Sequence, residues 1–155
     1  MSALPNPPEA RLATMAHGWL DAVVAVEQMA YSHPWTRANF SDSLAAGYEA
    51  QVLTGGDELI GYFVAFHAID EVHLLNLTVT PAHQRQGWAR LLLDALAIWS
   101  RGKGARQLWL EVRIGNLRAQ HVYRQHGFSA VGRRRNYYPA TPIAREDAVV
   151  MSLKL

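Results

Sequence analysis

Gln84-Arg85-Gln86-Gly87-Trp88-Ala89 stands between an apolar strand and an apolar helix. Upstream, Leu74-Leu75-Asn76-Leu77-Thr78-Val79 is dense in β-forming residues, and Pro81 ends it. Downstream, Trp88, Leu91, Leu92, Ala95, Leu96 and Trp99 recur at helical spacing from about Trp88 to Ser100. A strand entering a helix N-terminus through a glycine turn leaves several N–H groups without intrahelical partners. It also sets the positive end of the helix dipole beside a residue with no Cβ, so a phosphate fits there. Two familiar nucleotide loops are excluded, because the chain has neither G-x-x-x-x-G-K-[ST] nor G-x-G-x-x-G. What remains is Gln-x-x-Gly-x-Ala.

Composition narrows the field. At 155 residues, half of them apolar, the chain suits one domain spanning 1–155, with a short stretch at 1–9 expected to be flexible. The absence of cysteine excludes disulfides, thiolate nucleophiles and Cys-based metal sites. The seven histidines show no ligand spacing: His121 and His126 fall on different helix faces and no H-E-x-x-H occurs, so no metal is expected. No apolar run approaches the ~20 residues that a membrane span needs. Met1 to Pro8 is proline-rich and lacks the basic-then-apolar pattern of a signal peptide, so a cytoplasmic location is expected. A formal charge of +2 is too small to argue for nucleic acid. Arg133-Arg134-Arg135, followed by Asn136-Tyr137-Tyr138, reads either as a solvated edge or as a surface meeting a partner or the phosphates.

Along the chain, Arg11 to Met15 reads as a short strand and Trp19 to Ala30 as an amphipathic helix, broken by His33-Pro34-Trp35. Thr36 is placed to cap a second helix carrying Phe40 and Leu44 and ended by Gly47. Tyr48 to Leu53 and Leu59 to Ile69 form a hairpin about Gly55-Gly56-Asp57, and Val72 to Val79 adds a strand before the long helix. Gln107 to Arg113 alternates, with Leu108, Leu110 and Val112 on one face and Trp109, Glu111 and Arg113 on the other. Asn116 caps a helix that ends at Gly127, and strands at Phe128 to Arg134 and Ala148 to Leu155 close the chain. This order is a mixed α/β domain with helices flanking a central sheet.

Gln-x-x-Gly-x-Ala resembles the pyrophosphate-binding loop of GNAT acetyltransferases, and the order of elements is similar to the fold of that family. Within it, Trp109-Leu110-Glu111-Val112-Arg113, Asn116, Tyr123, Arg134-Arg135-Asn136-Tyr137-Tyr138-Pro139 and Arg145-Glu146-Asp147-Ala148 resemble RimI-type enzymes. Tyr31-Ser32-His33-Pro34-Trp35 extends the likeness toward the start of the chain. The branch acetylates an N-terminal alanine of a small-subunit ribosomal protein. The resemblance therefore implies acetyl-coenzyme A as cosubstrate and a ribosomal protein N-terminus as acceptor. The residues themselves argue against a metal, a membrane span and direct nucleic-acid binding, and a monomer is expected. The alternatives are protein lysine or a small-molecule amine as acceptor, or a non-catalytic acyl-coenzyme A-sensing or ribosome-associated module.

Acetyl transfer to an amine needs a group to take the amine's proton and one to protonate the departing thiolate. The resemblance gives these roles to Glu111 and Tyr123. The residues alone leave alternatives: Glu111 as a solvated strand residue paired with Arg113, and Tyr123 as a packing residue near Ala119. By the same likeness, Leu77, Thr78 and Val79 line the pantetheine arm with backbone groups. Gln84, Arg85, Gln86, Gly87, Trp88 and Ala89 take the pyrophosphate, with the Trp88 ring turned away from it. Asn116 adds a cofactor contact to its cap. Tyr137 and Tyr138, in the loop before the last strand, and Trp35 on the other side would wall the acceptor's first residue. Acidity favours an α-amine: with reference pKa values near ~7.7–8.0 for that group and ~10.4 for lysine, it is several hundred times more often neutral at pH 7.

Overall fold

Among the described residues the periodicities resolve into seven strands and four α-helices. In chain order these are β1 Ala10–Thr14, α1 Leu20–Ala30, α2 Arg37–Ala45, β2 Glu49–Gly55, β3 Glu58–Ala68, β4 Glu71–Val79 and α3 Trp88–Gly102. Then follow β5 Gln107–Arg113, α4 Leu117–His126, β6 Ser129–Pro139 and β7 Arg145–Lys154. The structure is a computed structural model that describes residues 9–155; Met1–Pro8, within the stretch read as flexible, lie outside the described residues. Among the described residues no helix is long and apolar enough to cross a membrane.

Local chemistry sets the helix ends. The Thr36 hydroxyl accepts from the Asn39 N–H while the Asn39 side chain accepts from the Thr36 N–H, a reciprocal cap on α2. The Asn116 side-chain Oδ1 accepts from the Ala119 N–H at 3.1 Å, as its position suggests. Gly127 ends α4 in the left-handed conformation, with φ of 112°.

All seven strands share one mixed sheet in the order β1-β2-β3-β4-β5-β7-β6, in which only β4 and β5 run parallel. One face packs Phe63, Val72, Leu74, Leu108 and Leu110 against Leu92, Leu93 and Leu96 of α3. The other buries Val52, Tyr62 and Val64 under Leu20, Val23 and Val26 of α1 and Phe40 of α2. A sheet covered by helices on both faces is the expected α/β architecture.

One irregularity shapes everything that follows. Ala65 stands opposite Leu74 and Val64 opposite Asn76, so Leu75 is an extra residue without a partner on β3. A bulge bends its strand and reverses the faces beyond it. Leu74 therefore joins the α3-side core, yet two residues later Asn76 faces α1, and Leu77 and Val79 return to the α3 side. Pairing between β4 and β5 stops at the same point. It runs from Glu71 and Gln107 to Leu74 and Leu110, whereas β4 stays paired to β3 as far as Val79 and β5 to β7 as far as Arg113. The sheet is split down its middle.

The final hairpin corrects the sequence reading. Tyr137 and Tyr138 lie inside β6, not in a loop before the last strand. Between Arg134 opposite Ala148 and Tyr138 opposite Glu146, β6 carries a wide bulge. The Asp147 carboxylate closes it, accepting from Arg133 Nε at 2.7 Å and from the Asn136 N–H at 2.8 Å. Arg145 donates to the carbonyls of Asn136 and Tyr137 from the opposite strand. These polar ties let an arginine-rich stretch stay zipped as strand.

Candidate active site

The split between β4 and β5 opens into a cavity of about 560 Å³ bounded by α3, α4 and the end of α1. Leu77 and Val79 line it from β4, and Gln84, Arg85, Gly87, Trp88 and Ala89 from the loop and first turn of α3. Asn116 and Tyr123 line it from the α4 side. Nine of the residues singled out by sequence thus share one space. Thr78, Gln86, Glu111, Tyr137, Tyr138 and Trp35 are not part of its lining. The Thr78 side chain is 3 % exposed and turns toward α1, and Gln86 Oε1 accepts from Trp88 Nε1 at 3.0 Å. The Trp88 ring packs on the α3-side core and also forms cavity wall, so its expected orientation away from the phosphate site holds only in part.

The loop has the properties of an anion site. Arg85 and Gly87 are left-handed, with φ of 65° and 87°, a backbone geometry in which successive N–H groups converge. Gly87 is the N-cap of α3, no side chain caps it, and no carboxylate occupies the first turn. The helix thus presents unpartnered N–H groups and an uncompensated dipole end to the cavity. These residues fit a pyrophosphate.

On β4 two carbonyls face the split. Gln84 Nε2 donates to Val79 O at 3.2 Å, and the Tyr31 hydroxyl lies 3.2 Å from Leu77 O. A strand residue directs its N–H and C=O to the same edge, so the N–H groups of Leu77 and Val79 point into the split as well. An extended chain laid there finds a row of backbone partners, as an added strand would.

Tyr123 is held among Ala119, Val122 and Phe128 beside the α3-side core, its ring 5.7 Å from that of Phe128. Burial raises its phenol pKa, and the nearby Tyr31 and Tyr138 raise it further. The group keeps its proton. Tyr138 is raised chiefly by burial, then by Tyr137 and Glu111, against the opposing charge of Arg113. Tyr138 is therefore close enough to feel Glu111 and to be felt by Tyr123. The Glu111 side chain is 16 % exposed, and its partner is Arg134, with Nε 3.4 Å from Oε1. The alternative reading of Glu111 as a partner of Arg113 does not hold. Arg113 binds Glu146 Oε1 at 3.1 Å instead, with its guanidinium 4.5 Å from the centre of the Tyr138 ring. Within the arginine cluster, Arg133 pairs with Asp147 and Arg134 with Glu111.

Trp35 stands apart from the cavity lining. Its ring is tilted against Phe40 at 5.1 Å, on the α1 and α2 side of the sheet.

The sequence reading also missed a buried network. Glu27 is 2 % exposed, and its carboxylate accepts from the Tyr62 hydroxyl at 2.6 Å, Asn76 Nδ2 at 2.9 Å and the Trp35 N–H at 2.9 Å. Thr78 donates to Asn76 Oδ1 at 2.8 Å, and Tyr31, which lines the cavity, lies 2.8 Å from Thr78 Oγ1. The signal was present. Leu20, Val23 and Glu27 follow helical spacing, so an acid occupies the buried face of α1.

A split sheet, an uncapped helix N-terminus and a protonated tyrosine share one cavity, an arrangement that fits an extended, phosphate-ended donor. Comparison with known proteins agrees. Residues 17–128 match the Acetyltransferase (GNAT) family. A [ribosomal protein bS18]-alanine N-acetyltransferase of Haemophilus ducreyi is 39% identical over 130 residues, covering 84% of this chain and 90% of that protein. The crystal structure of the ribosomal-protein-S18-alanine N-acetyltransferase from Escherichia coli superposes with a TM-score of 0.86 at 34% identity, over 94% of each chain. The fold extends to Arabidopsis thaliana NAA60 in complex with acetyl-CoA, at a TM-score of 0.84 and 16% identity, over 95% of this chain and 100% of that one. The chain belongs to the GNAT family and is an N-acetyltransferase.

Proposed function

We propose that the protein moves the acetyl group of acetyl-coenzyme A to the α-amine of an N-terminal alanine, and that the acceptor is ribosomal protein bS18. The observation that carries the reading is the single cavity that joins the β4 edge, the open N-terminus of α3 and the Tyr123 phenol. The likeness to bS18-alanine N-acetyltransferases over most of the chain supports the acceptor.

The α3 N-terminus with Gly87 and Ala89 holds the pyrophosphate, and the N–H groups of Leu77 and Val79 receive the pantetheine arm. Acetyl-coenzyme A supplies an activated thioester. Glu111 takes the proton that the attacking amine loses, directly or through water. Tyr123 gives its proton to the sulfur as the carbon–sulfur bond breaks, so one proton enters the protein and one leaves it. A phenol whose pKa burial raises stays protonated at neutral pH and is on hand to donate when the thiolate develops beside it. Tyr137 and Tyr138 flank the acceptor's first residue, beside Glu111. Trp35, packed against Phe40 and outside the cavity lining, is not given a wall in this reading.

The test is mass spectrometry of two peptides incubated with acetyl-coenzyme A: one begins with free alanine followed by arginine, the other has a blocked N-terminus and an internal lysine. Acetyl on the alanine amine alone is the expected result. Acetyl on lysine alone contradicts the acceptor and leaves the donor reading in place.

A further inference from the structure

Tyr31, Thr78, Asn76 and Glu27 form a hydrogen-bonded series from the cavity to the core, and its direction follows from its buried end. A carboxylate only accepts, so Asn76 must turn its amide Nδ2 to Glu27. Asn76 Oδ1 then faces Thr78, and the Thr78 hydroxyl must donate to it. With its one proton so committed, Thr78 Oγ1 accepts from the Tyr31 hydroxyl at 2.8 Å. The Tyr31 hydroxyl also reaches Leu77 O as a donor at 3.2 Å, and the series selects the shorter contact, turning its one proton to Thr78 Oγ1 at 2.8 Å. An amide in mid-series carries no proton along, so this is a device that fixes direction rather than a proton relay.

The consequence appears at the cavity end. The Tyr31 oxygen and the Leu77 carbonyl are left as two acceptors 3.2 Å apart, neither with a proton to offer the other, where the split opens. Two acceptors that close require a ligand rich in N–H. An amide offers one hydrogen, whereas a primary ammonium or amine offers two or three. A phosphate or carbonyl oxygen would be repelled.

We propose that Tyr31 is a binding residue for the acceptor, its phenol oxygen and the Leu77 carbonyl together receiving the N–H groups of the α-amine before transfer. This rests on the reading of the cavity as an α-amine acetyltransferase site and adds the group that recognises the amine. Two further facts agree with it. Burial pushes the Tyr31 pKa up to about 12, so its proton stays available for Thr78. Tyr31 is also near enough to raise the pKa of Tyr123, which places it at the reacting end of the cavity.

The experiment compares Tyr31→Phe and Thr78→Val with the unmodified protein. It records KM for an alanine-started peptide, the coenzyme A Kd by calorimetry, and Tm. Tyr31→Phe removes one acceptor, and Thr78→Val frees the Tyr31 proton to turn onto Leu77 O. Each raises the peptide KM about three- to tenfold while the coenzyme A Kd holds. A peptide starting with N-methylalanine, which has one N–H fewer, loses the same factor against the unmodified protein and little more against Tyr31→Phe. A weakened coenzyme A Kd with unchanged peptide KM would assign the two oxygens to the pantetheine arm and overturn the proposal. So would a fall in kcat alone, or a peptide KM that Thr78→Val leaves unchanged. If the unmodified protein acetylates no α-amine, the functional reading fails. Binding of the alanine peptide to the coenzyme A complex, measured by calorimetry with and without Tyr31→Phe, then still decides the inference.

Discussion

Leu74 and Leu110 are the last aligned pair between β4 and β5, and the next residue of β4, Leu75, has no partner on β3. The bulge and the split coincide. One inserted residue re-aims Leu77 and Val79 toward the cavity, sends Asn76 and Thr78 to the buried carboxylate, and ends the only parallel pairing in the sheet.

Gly61 sits against this bent strand. A Cβ there would meet the Thr78 carbonyl oxygen at 2.6 Å and a Leu92 methyl at 3.2 Å. Backbone cannot yield as a side-chain end does. Gly61→Ala is expected to cost about 1–3 kcal/mol of stability, read by denaturant unfolding, and to weaken coenzyme A binding by displacing the β4 edge. Unchanged stability and affinity would mean that β4 tolerates the shift.

Glu27 accepts three buried donors. Glu27→Gln keeps the size but replaces an acceptor oxygen with an N–H₂ group that confronts at least one of them. An expected loss of about 1–3 kcal/mol follows from an unsatisfied buried donor. A thermal melt matching that of the unmodified protein would show that the donors find other partners.

These two predictions mark where the sequence was readable and where it was not. The helix starts at Thr36 and Asn116 and the turn at Gly87 depend on neighbours three or four residues away, and all three took the expected form. The Leu75 bulge left a trace, two adjacent leucines where apolar residues should alternate, but an unbroken run of β-formers reads equally as a buried strand. Glu27 lies on the buried face of α1 by spacing, yet its donors come from β3, β4 and the turn after α1, so its role is a tertiary fact. The pairing of Glu111 with Arg134 instead of Arg113 likewise depends on the register of three strands. Tyr137 and Tyr138 were misplaced because Asp147, several residues further on, zips the stretch that holds them.

Asp147 gives the account a pH signature. Its carboxyl pKa is held below the ordinary 3.8, chiefly by the Asn136 N–H, with desolvation opposing and Arg133 and Arg135 adding to the lowering. A depressed folded-state pKa means stability present above the unfolded value and lost as pH falls through the folded one. Asp147→Asn should therefore lower Tm by a constant amount above about pH 5, with the difference shrinking as pH falls below the ordinary carboxylate value. A difference independent of pH would remove the charge from the explanation.

Glu111→Gln and Tyr123→Phe separate the two proton transfers. Each is expected to reduce kcat by about 10²–10⁴ with coenzyme A affinity and Tm nearly unchanged. The Glu111→Gln loss should be greatest below about pH 8, where the α-amine still carries its proton, and smaller above it. An equal loss at every pH would argue against a base role, and an unaffected rate in Tyr123→Phe would remove it as the acid.

The most direct measurement is a crystal structure with coenzyme A joined through an acetyl bridge to the α-amine of an alanine-started peptide. The account predicts the pantetheine arm between β4 and β5 along Leu77 and Val79, the pyrophosphate at the N-terminus of α3, the sulfur beside the Tyr123 hydroxyl, and the alanine nitrogen between Tyr31 and Glu111. A pantetheine arm that bypasses the split, or an alanine nitrogen on the far side of the sulfur from Glu111, would contradict it.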